Sequence, residues 1–175
     1  MALSGYSKKC ARRNGGIRLI GLIERGAVRS VTFDAQGGAW TAVVFEGSAR
    51  FARYEFREDE ARFRETVAAA QGACTVTHEL RFFLDRMGKE SSRAVDELAR
   101  AAQNGLVAYV QSANEDSFLV GCSPLYGTER PLRLVSASGT TGQTLSESSG
   151  ETIVLASEDT SKSLPYTGDI DAIFN

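Results

Sequence analysis

The chain has 175 residues, 42% of them hydrophobic and 24% charged, with a net charge of −2. A chain of that length buries roughly 70% of its unfolded surface as one domain and needs no disulfide or metal staple. This balance excludes a disordered acidic tail, and it excludes binding of nucleic acid through bulk charge.

Residues 1–16 (MALSGYSKKCARRNGG) are polar, basic and without periodicity. They read as an arm ahead of a body spanning residues 17–175. Lys8, Lys9, Arg12 and Arg13 are followed by no apolar h-region, so the segment does not read as a secretory signal. No apolar run approaches the roughly 20 residues that cross a bilayer. These features lead to an expectation of a protein that matures in a cytoplasm and makes no membrane contact.

Ile17 to Glu24 is a short apolar strand ended by a turn at Arg25-Gly26. Strands are expected next at Val28–Phe33, Trp40–Phe45 and Arg50–Arg57, broken by turns at Ala35–Gly38 and Glu46–Ser48. In the third of these, Phe51, Arg53 and Glu55 fall on one face and Ala52, Tyr54 and Phe56 on the other. The pattern reads as hairpins in series, a meander rather than βαβ units. Residues 58–73 admit a helical stripe through Ala61, Glu65 and Ala68. They also admit a strand over Arg62–Val67 followed by a small-residue loop, which the flanking β runs favour.

Cys74 to Arg86 alternates Val76, His78, Leu80, Phe82 and Leu84 against Thr75, Thr77, Glu79 and Arg81, the signature of a strand with one buried face. The period then changes. From Ser91 to Asn104, apolar residues recur at helical steps through Ala94, Val95, Leu98, Ala101 and Ala102. Ser91 or Ser92 is suited to cap this helix, and Gly105 to close it. Strands follow at Leu106–Gln111, Ser117–Gly121 and Leu132–Ala137. A Ser/Thr/Gly-rich loop is expected from Ser136 to Gly150, then strands at Thr152–Ala156 and Leu164–Thr167. The expected fold is mainly β, an antiparallel sandwich or barrel with one flanking helix packed through Val95 and Leu98.

Chemical signals are sparse. Cys10, Cys74 and Cys122 form no CxxC or CxxH spacing and read as free thiols, with no metal and no cofactor expected. His78, alone of its kind, lies mid-strand beside Leu80 and reads as a buried histidine bonded to a neighbour. Ser138–Thr144 looks like a phosphate loop but lacks the lysine and the following helix. Arg57, Glu58, Asp59 and Glu60, beside Arg62 and Arg64, read as a solvated mixed-charge run or as pairs formed between subunits. A nucleophile, base and charge stabiliser in one cluster cannot be assembled from the pattern, so no catalytic residue is assigned.

The segments CTVTHELRFFLDRMGKESSRAVDELARAAQNGLVAYVQSANEDSFLVGCSPLYG and PLRLVSASGTTGQ, with ETIVL and the closing YTGDI, resemble tail proteins of phages and prophage elements from Bacteroidetes-like hosts. The order of elements resembles the fold shared by phage tail-tube and type VI secretion tube proteins. The resemblance covers the C-terminal half and extends to the N-terminal half by pattern. It implies a structural subunit of a virion tail that self-assembles into stacked hexameric rings, a conduit for DNA or effectors. Its partners would be other copies, other tail proteins and the passing genomic DNA. Tail-terminator and baseplate-hub proteins share such folds. A receptor or glycan-binding module, with Tyr126 and Trp40 stacking on sugars, and a small β enzyme are the other readings. For a ring, the expected contact residues are Lys8, Lys9, Arg12 and Arg13 in the arm, Arg57, Glu58, Asp59 and Glu60 in the charged run, and Thr140, Thr141 and Gln143 in the polar loop.

Overall fold

A computed structural model describes residues 5–7, 14–57 and 59–174. Its most apolar strands, Ile17–Glu24 (β1) and Leu106–Ser112 (β7), sit side by side at the centre of a five-stranded sheet. Val28–Asp34 (β2) and Ala39–Phe45 (β3) form a separate hairpin, and Ala52–Tyr54 (β4) is a short edge strand. Arg62–Ala70 (β5) and Ala73–Asp85 (β6) form a long hairpin, followed by the helix Lys89–Asn104 (α1). After β7 come Ser117–Val120 (β8), Arg133–Thr140 (β9), Gly150–Asp159 (β10) and Leu164–Pro165 (β11).

The five-stranded sheet runs β11-β8-β7-β1-β4 and the four-stranded sheet β5-β6-β10-β9, with every named pairing antiparallel. The mainly β fold with one flanking helix is therefore the one expected. The meander is not. Among the first four strands only β2 and β3 pair as neighbours along the chain, whereas β1 pairs with β4 and, far along the chain, with β7. The reason is burial on both faces. A strand whose Ile20, Leu22 and Ile23 are all buried needs a central position between two neighbours and a layer on each side.

Two cores result. Ile20, Leu22, Ala108 and Val110 of the five-stranded sheet meet Leu80, Phe82, Ile153 and Leu155 of the four-stranded one, and α1 inserts Leu98 and Ala102. On the opposite face, Ile23, Val107, Tyr109 and Leu119 pack beneath Trp40 of the β2–β3 hairpin, with Phe51, Ile173 and Phe174. The five-stranded sheet is thus a middle layer. Strand β7 is buried on both faces, which is why its sequence LVAYV shows no polar alternation.

Several boundaries differ from expectation. The helix starts at Lys89 with Gly88 as its cap, not Ser91 or Ser92. The Ser91 hydroxyl instead accepts from Gly88 N–H at 2.9 Å and donates to Gly88 O at 3.0 Å. Val95 and Leu98 do face the core, and Gly105 has φ 95°, with Pro131 close enough that a Cβ would meet its Cγ at 2.3 Å. The strand expected over Arg50–Arg57 shortens to Ala52–Tyr54, because beyond Tyr54 the chain leaves β1 and Arg57 N–H bonds Phe83 O. The strand over Arg62–Val67 is present but continues through Ala70. Its small-residue stretch is a strand, not a loop, turned by Gln71 (φ 50°) and Gly72 (φ 84°). The polar loop likewise shrinks to residues 141–149, since Ser136–Thr140 belong to β9 and Gly150 opens β10. A ladder of backbone hydrogen bonds needs no apolar side chains, and low hydropathy concealed both strand ends.

Candidate assembly surfaces

The four-stranded sheet ends on β5 at one side and β9 at the other, each paired on one edge only. Natural sheets guard such edges with charges, proline or bulges. Here residues 66–70 of β5 (TVAAA) and 135–140 of β9 (VSASGT) carry no charge and are exposed, Val67 at 54% and Val135 at 64%. One irregularity interrupts the β9 register, opposite Val154 and Leu155. The remaining edges are long, small-residue rows of backbone donors and acceptors. On the bare face of this sheet stand Thr66, Thr75, Thr77 and Thr152, with Arg62 paired to Glu79 at 2.8 Å.

The residues expected to carry contacts fall into three groups. Lys8, Lys9, Arg12, Arg13 and Glu58 lie outside the described residues, as does the thiol Cys10. Arg57 and Glu60 pair with each other at 3.5 Å, and Asp59 and Glu60 border a shallow depression with Arg62 and Arg81 on the sheet's bare face. Thr140 ends β9, and its hydroxyl accepts from Gly142 N–H at 3.1 Å. Thr141 and Gln143 lie in the following turn, where Gln143 N–H donates to Glu147 Oε2 at 2.6 Å. The structure brings the charged run and the turn together, because the Arg57 guanidinium donates to Ser148 Oγ. Leu145, at the tip of that turn, is fully exposed.

His78 is 2% exposed, as its place in the strand pattern implied, and its ring bonds to the backbone of Ser161. A carbonyl only accepts, so Nε2 carries the hydrogen it donates to Ser161 O at 3.2 Å. Glu65 of β5 lies 3.6 Å from the same nitrogen. Its Oε1 accepts from Ser163 N–H at 2.6 Å and from Ser163 Oγ at 2.8 Å, and Oε2 meets Lys162 Nζ at 3.2 Å. Burial pushes the Glu65 carboxyl up, but the Ser163 bonds and Lys162 outweigh it and hold it below the ordinary glutamate range. This clasp fastens β5 to the segment ahead of β11. Sequence reading missed it because its two halves are 98 residues apart. The imidazole is sealed in the interior and not presented to a cleft.

Trp40, read as a sugar-stacking aromatic, is 2% exposed and packs edge-on against Phe33 within the second core. Tyr126 is half-buried under the Arg130 guanidinium. Cys122 is buried, its thiol pushed up to about 12 by burial and then by the charge of Asp159, while Cys74 is exposed near the β5–β6 turn. No group of three metal-ligating side chains gathers among the described residues, and no helix among them is long and apolar enough to cross a membrane. No protein-family model, curated protein or solved structure matches the chain.

Proposed function

We propose that the chain is a structural subunit that assembles into rings through the edges of its four-stranded sheet, and that the stacked rings form the tail tube of a phage or phage-tail-like particle. The observation that carries this reading is the pair of uncharged, exposed edge stretches, residues 66–70 of β5 and 135–140 of β9. Joining β9 of one copy to β5 of the next is a heterologous contact, which closes into a ring when the rotation between copies is a whole fraction of a turn. Closure removes every edge from the joined sheets.

The inner face of the four-stranded sheet is already covered by the five-stranded sheet and α1. Its threonine-bearing outer face is therefore the one free to line a channel. Through that channel DNA or effectors would pass without sequence-specific contact. The order of elements resembling tail-tube proteins supports six copies per ring, other tail proteins as partners, and a place in the virion tail. A terminator or baseplate position uses the same edges and differs in what caps the ring. The burial of Trp40 removes one of the two aromatics on which a glycan-binding module would rest.

Electron microscopy and light scattering of the purified chain test the reading. Rings, and tubes at high concentration, are the expected result. A chain that stays monomeric across a wide concentration range, alone and with a tail lysate, overturns it.

A further inference from the structure

We propose that neighbouring copies join antiparallel, Thr66–Ala70 of β5 against Ser136–Thr140 of β9, and that Arg64 of one copy locks each joint against Glu147 of the next. This rests on the ring reading above and adds the direction, the register and the ion pair of the joint.

Direction follows from the strand count. Each neighbouring pair in β5-β6-β10-β9 is antiparallel, so β5 and β10 run one way and β6 and β9 the other. Rotation about a ring axis keeps the sense of every strand along that axis. The β9 edge of one copy therefore meets a β5 edge running the opposite way, with the same face of both sheets toward the channel. The two edges cannot meet within one chain, because three strand spacings of roughly 4.8 Å hold them about 14 Å apart.

Register follows from faces and charges. Thr66 lies opposite Thr77, Ser138 opposite Thr152 and Thr140 opposite Gly150. By alternation, Thr66, Ala68 and Ala70 share the bare face with Ser136, Ser138 and Thr140. Setting Thr66 against Thr140 and Ala70 against Ser136 keeps these side chains on one face and lays five uncharged residues against five. A slip of one residue would set the bare face of one edge against the inner face of the other.

The same register carries Arg64 past the end of β9, opposite Gly142. There the chain turns at φ 73°, and a Cβ on Gly142 would meet the Glu147 Cβ at 3.0 Å. Glu147 thus stands beside the position that Arg64 reaches, its Oε2 accepting from Gln143 N–H at 2.6 Å. Arg64 and Glu147 are both exposed, and neither forms an ion pair among the described residues. Glu79, opposite Arg64 on β6, is taken by Arg62 at 2.8 Å. A parallel joint would instead set Arg62 and Arg64 beside Arg133 at the start of β9, like charge against like. The cation belongs to one edge of the sheet and the carboxylate to the other, and this complementarity selects a second copy as the partner.

Disulfide trapping reads the direction. In chains carrying C10S and C74S, T66C combined with T140C should oxidise on assembly into a ladder of covalent oligomers. T66C combined with S136C should not, since four residue steps displace the two thiols by about 13 Å. Charge reversal reads the lock. R64E alone and E147R alone should each need roughly tenfold or more protein to form rings, because the repulsion recurs at every joint. Both reversals in one chain should assemble as the natural chain does. The neutral R64Q or E147Q replaces a reversal that does not fold by circular dichroism, and it should weaken assembly in the same direction. Rings that link through S136C instead, that link through neither, or that form undiminished with R64E overturn this joint and leave the ring reading intact. A natural chain that forms no rings overturns both.

Discussion

Replacing Glu65 with alanine removes the centre of the clasp that holds β5 to the segment before β11. Two hydrogen bonds from Ser163 to a carboxylate are lost, at 2.6 and 2.8 Å, and their donors stay in a buried site. Bonds to charged groups contribute about 1.5–3 kcal/mol each, and two made by one residue are not fully additive, so about 3 kcal/mol is the working figure. Lys162 is largely exposed and adds under about 1 kcal/mol. Urea unfolding at pH 7 should show the midpoint falling by roughly 1–1.5 M at an unchanged slope of 2–3 kcal/mol/M. The pH dependence follows from the lowered Glu65 carboxyl. A carboxyl held below its unfolded value of about 4.3 stabilises fully above that value and loses its contribution as pH falls through the folded value. The gap between natural chain and variant should therefore narrow markedly between pH 5 and pH 3. A gap under about 1 kcal/mol at pH 7, or one identical at both ends of that range, would refute the reasoning. Because the clasp fixes an edge strand, the same variant should also form rings less readily than its residual stability predicts.

Charges placed on the bare edges, Val67→Lys or Val135→Lys, should change stability by under about 0.5 kcal/mol yet abolish ring formation, as read by light scattering. Gly105→Ala puts a Cβ against Pro131 at a positive φ. It should cost about 2 kcal/mol or more, a melting-temperature loss of roughly 4–8 °C by calorimetry. The Cys122 thiol should resist an alkylating reagent until the chain unfolds, while Cys74 reacts in the folded state; mass spectrometry of the modified peptides distinguishes them.

Where a single physical signal decides an element, the sequence was readable. The period-two run from Val76 to Leu84 is the inner face of β6, and the period change after it marks α1. The unbroken apolar stretches at β1 and β7 announced burial, but not that the two are neighbours, because pairing between strands about 90 residues apart leaves no local trace. Low hydropathy misled in one consistent way. Ala68–Ala70 and Ser136–Thr140 read as loop, yet both are edge-strand ends held by backbone bonds to β6 and β10. These are the stretches on which the assembly reading rests, so composition hid the candidate surface most effectively where it matters. The clasp was unreadable for a different reason: it is made by segments that meet only in the folded chain.

The central place of β1 has a consequence for synthesis. The strand emerges from the ribosome among the first residues of the body, but β7 is not available until residue 112 has been made, and the core on its other face still lacks Ile173 and Phe174. Until β7 is made, its apolar side chains lack that neighbour and stay in solution or in the keeping of a chaperone. Pairing between segments so far apart in sequence is the kind of contact that slows folding. Removing Ile173 and Phe174 would leave Phe51 and Tyr109 uncovered.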